Sequence, residues 1–123
     1  MLSQCRIVGF APIADADRAR HFYGDILGLT FVYQDQFAVV FEAAGNRIRL
    51  ARMEKVNPAP YTILGWEVLD IQSTASELAG RGVVFERYPF LEQDERGVWS
   101  APGGAKVAWF KDPDGNVLSI SQS

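Results

Sequence analysis

His21 and Cys5 are the only imidazole and the only thiol in this chain of 123 residues. A zinc, iron, manganese or nickel centre needs several imidazole, thiolate or carboxylate donors. One cysteine also excludes an internal disulfide and a multi-cysteine zinc site. No Cys-His or Ser-His arrangement is readable, and Gly103-Gly104 is a turn signal rather than a phosphate loop. What remains for chemistry are charged and aromatic residues set within apolar, strand-like runs: Arg49, Glu67, Tyr33, Trp99 and Trp109. A guanidinium can hold an oxyanion, a carboxylate can act as general base, and an indole can stack on a planar ligand. Whether they act together depends on the elements that carry them.

The composition sets outer limits. Hydrophobic residues make up 48% of the chain, enough for a core in a single domain of residues 1–123. The net charge of -3 comes with no basic stripe, so no nucleic-acid partner is expected. No apolar run reaches the roughly 18 residues that span a bilayer, so no membrane association is expected either. Met1-Leu2-Ser3-Gln4 lacks the basic and apolar regions of a signal peptide. A reduced, cytoplasmic protein is expected, with Cys5 a small buried residue at the start of a strand.

The elements follow from periodicity. Residues 5–11 read as a first strand. Asp15 is a helix N-cap, Ala16, Ala19, Phe22, Tyr23, Ile26 and Leu27 form an apolar stripe, and Gly28 is a C-cap. Residues 30–34, 37–43 and 47–52 read as three further strands, with Gly45-Asn46 turning into the last. Residues 55–61, with Pro58 and Pro60, are a short linker between module one (about 1–54) and module two (about 62–123). The second module repeats the plan: a strand over 62–69, an N-cap at Asp70, a stripe of Ile71, Ala75, Leu78 and Ala79, a C-cap at Gly82, and a strand over 83–87. Residues 88–104 are irregular, with a short strand around 98–101. Strands over 106–111 and 117–121 flank Asp112-Pro113-Asp114-Gly115-Asn116, a hairpin signal because glycine takes positive φ without penalty.

The repeat is visible in register: Ile13-Ala14-Asp15 matches Val68-Leu69-Asp70, and Gly45-Asn46 matches Gly115-Asn116. An Asp-Pro-Asp-Gly-Asn hairpin, a helix ending Phe22-Tyr23-Gly24-Asp25-Ile26-Leu27-Gly28-Leu29, and two such modules together resemble the vicinal oxygen chelate superfamily. That group holds the glyoxalases, extradiol dioxygenases, fosfomycin-inactivating enzymes and bleomycin-resistance proteins. The resemblance covers almost the whole chain. It implies an α+β fold in which two β-α-β-β-β modules form a cupped, incompletely closed eight-stranded mixed sheet around a cavity, and it implies a homodimer.

In the metalloenzymes of that superfamily, ligands come from the first and fourth strands of each module. Carried onto this sequence, the resemblance puts those positions at Val8, Arg49, Ile63 and Ser119. Two alkyl groups, one permanent cation and one hydroxyl are not a donor set for a divalent metal. The expectation is therefore a member without metal or other cofactor, and His21 is read as a solvated helix residue. If the four positions face the cavity, strand alternation adds Phe10 on the first strand, Glu67 on the fifth, and Val107, Trp109 and Lys111 before the hairpin. Tyr33, Phe37 and Phe41 are candidates for the same space, and Trp99 lies in the irregular segment. Trp109 reads either as core or as a stacking platform, and Arg49 with Glu67 either as a structural ion pair or as groups that orient a ligand.

Three functions fit this inventory. The first is a metal-independent small-molecule-binding protein resembling the bleomycin-resistance type, sequestering an aromatic or cationic drug-like ligand through Trp109, Arg49, Glu67, Ser119, Val8, Ile63, Phe10, Tyr33 and Trp99; the acidic balance favours a cation. The second is a metal-independent isomerase or lyase of a small carbonyl compound, with Glu67 as base. The third is a subunit with a vestigial cavity. The first is the reading taken forward.

Overall fold

A computed structural model describes all of residues 1–123, which divide into two compact units, Met1–Pro58 and Ala59–Ser123. In the first unit the order is a 3-10 turn Leu2–Gln4, β1 Val8–Ile13, α1 Ala16–Arg20, a π-helical continuation His21–Ile26, β2 Thr30–Gln34, β3 Ala38–Ala43 and β4 Asn46–Arg52. In the second it is β5 Thr62–Glu67, α2 Ile71–Gly80, β6 Trp99–Ser100, β7 Lys106–Lys111 and β8 Val117–Gln122. Each unit is a four-stranded mixed sheet, ordered β1-β4-β3-β2 in the first and β5-β8-β7-β6 in the second. The outer pairs β1–β4 and β5–β8 are parallel and the remaining pairs antiparallel. The fold is thus α+β, with the same β-α-β-β-β topology used twice. No helix is long and apolar enough to cross a membrane.

The helices start where side chains cap them. Asp15 accepts the backbone N–H of Arg18 at 3.0 Å, and Asp70 accepts that of Ser73 at 3.2 Å. In the first unit the helix widens: Leu27 N–H reaches the carbonyl of Phe22, five residues back, at 2.9 Å, and Gly28 then ends it at φ +78°. The stripe Ala16, Ala19, Phe22 and Tyr23 is buried together with Ala11, Ile13, Val39, Phe41, Ile48 and Leu50. Gly24 lets this helix approach β3 closely, since a β-carbon there would sit 3.2 Å from the Phe41 ring. In the second unit Ile71, Ala75 and Leu78 are buried along with Ala108, Phe110, Leu118 and Ile120. Ala79, expected in that stripe, is exposed at the end of α2.

Other differences from the sequence reading have local causes. Cys5 is exposed and precedes β1, which begins at Val8 and runs through Pro12 to Ile13. Proline is tolerated there because β1 is an edge strand bonded only to β4. Residues 83–87 do not form a strand; only Phe85 bridges to Phe110. Glu86 N–H adds one bond to the Trp109 carbonyl at 2.8 Å, while its own carbonyl and that of Gly97 accept Gln93 Nε2 (both 2.9 Å) and Gln93 Oε1 accepts Tyr88 N–H at 2.8 Å. Arg87 donates to the carbonyls of Gln93 and Glu95. These bonds, with the short β6–β7 ladder, hold the 88–104 segment.

The hairpin ties itself shut. Asp112 Oδ1 accepts the N–H groups of Asp114 and Asn116, and Oδ2 accepts Asn116 Nδ2, all at 2.9 Å. Both side chains are buried, and Gly115 takes φ +87°.

Candidate functional site

Register fixes which side chains share a face, because Cα partners across a ladder point the same way. In the first unit, one rung crosses all four strands as Phe10, Arg49, Val40, Tyr33. The next holds Val8, Arg47, Glu42 and Thr30. Val8, Phe10, Arg49 and Tyr33 therefore lie on one face, while Ile48 and Leu50 on the other are buried under the helix. Arg49 Nη1 donates to the Tyr33 hydroxyl at 2.9 Å across the rung position of Val40, which is buried. Glu42 Oε1 is shared by Arg6 Nη1 at 3.2 Å and Arg47 Nε at 3.8 Å. Asp35 accepts the N–H groups of Phe37 and Ala38, and these bonds, with a smaller contribution from the Arg49 charge, outweigh desolvation and hold its carboxyl below the usual range. Phe41 lies on the opposite face, packed against Tyr23 and Phe31, so it cannot join this group.

In the second unit the corresponding rung is Gly65, Ser119, Trp109, and the next is Glu67, Ser121, Val107, Trp99. Ser119 is buried and its Oγ lies 3.0 Å from Thr62 Oγ1, which also donates to the carbonyl of Leu64 at 3.1 Å. Glu67 is exposed on the edge strand β5. The Trp99 and Trp109 rings lie 6.0 Å apart at 35°, and Tyr88 meets Trp109 edge-on at 5.5 Å. Phe90 continues the chain of rings, 5.6 Å from Tyr88 and 78% exposed. Burial, then the Glu86 charge, raise the Tyr88 hydroxyl above its ordinary range against the opposing charge of Lys111. An open depression of about 520 Å³ runs past Phe90, Val98 and Trp99, and one of about 630 Å³ past Tyr88 and Pro89.

Two features escaped the sequence. β5 carries an irregularity between Thr62 and Leu64, so Thr62 rather than Ile63 takes the rung beside β8 and reaches Ser119. Alternation alone cannot show such a bulge. The aromatic pair Tyr88 and Phe90 was legible as residue types, but the irregular segment gave them no face. Arg49 and Glu67 belong to different units, and the hydroxyl of Tyr33 is the Arg49 partner within its own.

The chain belongs to the glyoxalase/bleomycin resistance protein/dioxygenase superfamily, whose sequence model matches residues 6–120. Among similar solved structures are a glyoxalase-family candidate from Bacillus anthracis (TM-score 0.77, 18% identity, 96% of this chain and 93% of that one) and a superfamily member from Sphaerobacter thermophilus DSM 20745 (TM-score 0.74, 24% identity, 96% of each chain). The lactoylglutathione lyase of Agrobacterium tumefaciens is also similar (TM-score 0.73, 16% identity, 95% and 92% covered). No curated protein sequence matches the chain. At these identities the structural likeness speaks for the fold.

Many members of this superfamily use a metal. The positions that the resemblance assigns to ligands carry an exposed valine, a guanidinium bonded to Tyr33, an isoleucine in a bulge and a hydroxyl bonded to Thr62. No group of three His, Cys, Asp or Glu side chains is placed to hold a metal ion. His21 is exposed and pairs with Asp25 at 3.0 Å. These residues do not suit a divalent cation.

Proposed function

We propose that this chain is a metal-independent small-molecule-binding protein that seats a planar organic ligand against the aromatic face of its second unit. The observation that carries this reading is the chain of four rings, Trp99, Trp109, Tyr88 and Phe90, beside the Ser119 rung. Trp109 is half-buried, so part of its ring is available, and aromatic stacking contributes about 1 kcal/mol beyond buried area. A tryptophan-fluorescence screen of planar aromatic compounds tests it. Trp109→Ala, checked for folding, should weaken hits about tenfold, the sum of lost stacking and lost area; unchanged affinity would make Trp109 a packing residue. Turnover of a hit that Glu67→Gln abolishes while binding persists would replace this reading with catalysis. We also propose that the protein pairs with a second copy, since each sheet ends in open edge strands within its own unit; sedimentation at micromolar concentration giving only monomer would refute that.

A further inference from the structure

We propose that the first unit carries a carboxylate-binding site of its own, centred on Arg49 and Tyr33. It stands or falls separately from the aromatic face of the second unit. Arg49 lies half-buried in the middle of the Phe10, Arg49, Val40, Tyr33 rung, and its Nη1 donates to the Tyr33 oxygen. Because that oxygen accepts, the phenol keeps its own hydrogen to donate. The pair therefore presents the remaining guanidinium N–H groups and one O–H, all donors, with no acceptor between them. A planar anion with two oxygens matches such a fork, as a neutral or cationic group does not.

The surrounding charges support the same sign. The face and its margin hold three guanidiniums, Arg6, Arg47 and Arg49, and two carboxylates, Glu42 and Asp35. Glu42 is shared by Arg6 and Arg47, yet Arg47 Nε is buried and has no hydrogen-bond partner. Asp35 is taken up by the backbone of Phe37 and Ala38 and feels Arg49 only as a charge. Arg49 is thus the cation left without a carboxylate in contact. The overall charge of -3 suggested a cationic ligand, but charges beyond about 8 Å are largely screened at physiological salt, so the local excess decides. Phe10, the Cα partner of Arg49, is 62% exposed and Val8 beside it 44%. An apolar margin next to a donor fork fits a carboxylate on a hydrocarbon or aromatic stem.

Three probes of one shape decide the matter: 3-phenylpropionate, 3-phenyl-1-propanol and 3-phenylpropylammonium, titrated into the full chain at low salt and followed by backbone amide shifts. The carboxylate should bind about tenfold more tightly than the alcohol, as expected for charge-assisted hydrogen bonds. The shifts should centre on β1 and β4, and the ammonium should bind no better than the alcohol. Arg49→Gln should abolish the preference while sparing the alcohol, and Tyr33→Phe should reduce it severalfold. Should Arg49→Gln fail to fold, Arg49→Lys keeps the charge, loses the fork, and should still lose most of the preference. Equal binding of carboxylate and alcohol, no binding of either, shifts centred on the second unit, or a preference that survives loss of Arg49 would each overturn the proposal.

Discussion

Gly65 faces Ser119 so closely that a β-carbon on it would lie 2.9 Å from the serine Oγ and 3.4 Å from its carbonyl oxygen. The contact explains why the middle of β5 carries no side chain beside the buried hydroxyl. In Gly65→Ala the hydroxyl must swing away and give up its 3.0 Å contact with Thr62. Overpacking of this kind costs about 1–3 kcal/mol. Denaturant unfolding should show that loss, and the Gly65→Ala/Ser119→Ala double variant should regain part of it, since removing Oγ removes the closest clash. Strictly additive losses would mean that the backbone carbonyl sets the cost.

A second prediction concerns metal. The chain incubated with zinc, nickel or iron and then desalted should retain well under one ion per molecule by elemental analysis. The reason is the donor chemistry at Val8, Arg49, Ile63 and Ser119. Stoichiometric retention that Ser119→Ala and Arg49→Gln leave intact would point to a site elsewhere; retention that they remove would overturn the donor argument itself.

The third concerns the hairpin between β7 and β8. Asp112→Ala deletes the acceptor of three hydrogen bonds in a buried turn, and losing charged acceptors there costs on the order of 3 kcal/mol. Asp112→Asn retains one oxygen and should lose less. Thermal unfolding ranks the two; equal losses would show that the turn is held by its glycine and proline alone.

How far the sequence reaches is clear from these same elements. The strand at 30–34 and the caps at Asp15, Asp70, Gly28 and Gly82 stand where periodicity and local chemistry put them, because each is set by neighbours in the chain. The faces bearing Arg49 and Trp109 followed from alternation, which the ladders preserve. The resemblance put Ile63 on the site face, but a bulge in β5 shifts the register there, and Phe41, a candidate for the same space, lies on the opposite face of β3 against Tyr23. Residues 83–87 have strand-like composition, but Gln93 takes the Glu86 carbonyl from seven residues away, and nothing in composition announces that. β1 runs past the expected end at residue 11, through Pro12, because an edge strand accommodates a proline.

The same segment supplies a pH prediction. Burial pushes the Asp94 carboxyl up, but hydrogen bonds from Gln72 Nε2 (2.8 Å) and from the N–H groups of Val98 and Arg96 (2.9 Å each), with the charge of Arg87, hold it below its ordinary value. A carboxyl depressed in the folded state stabilises it at pH values above its unfolded pKa, and that stabilisation is lost as pH falls through the folded pKa. The window is therefore below about pH 4. Asp94 ties the segment carrying Trp99 to Gln72 on α2, so the local reporter is Trp99 fluorescence or exchange of the Val98 amide. Asp94→Asn puts an amide into this set of donors and should loosen the segment at neutral pH. Its difference from the parent should shrink as the parent's own carboxyl is protonated. A difference of the same size at pH 7 and pH 3 would show that the Asp94 charge does not hold the segment.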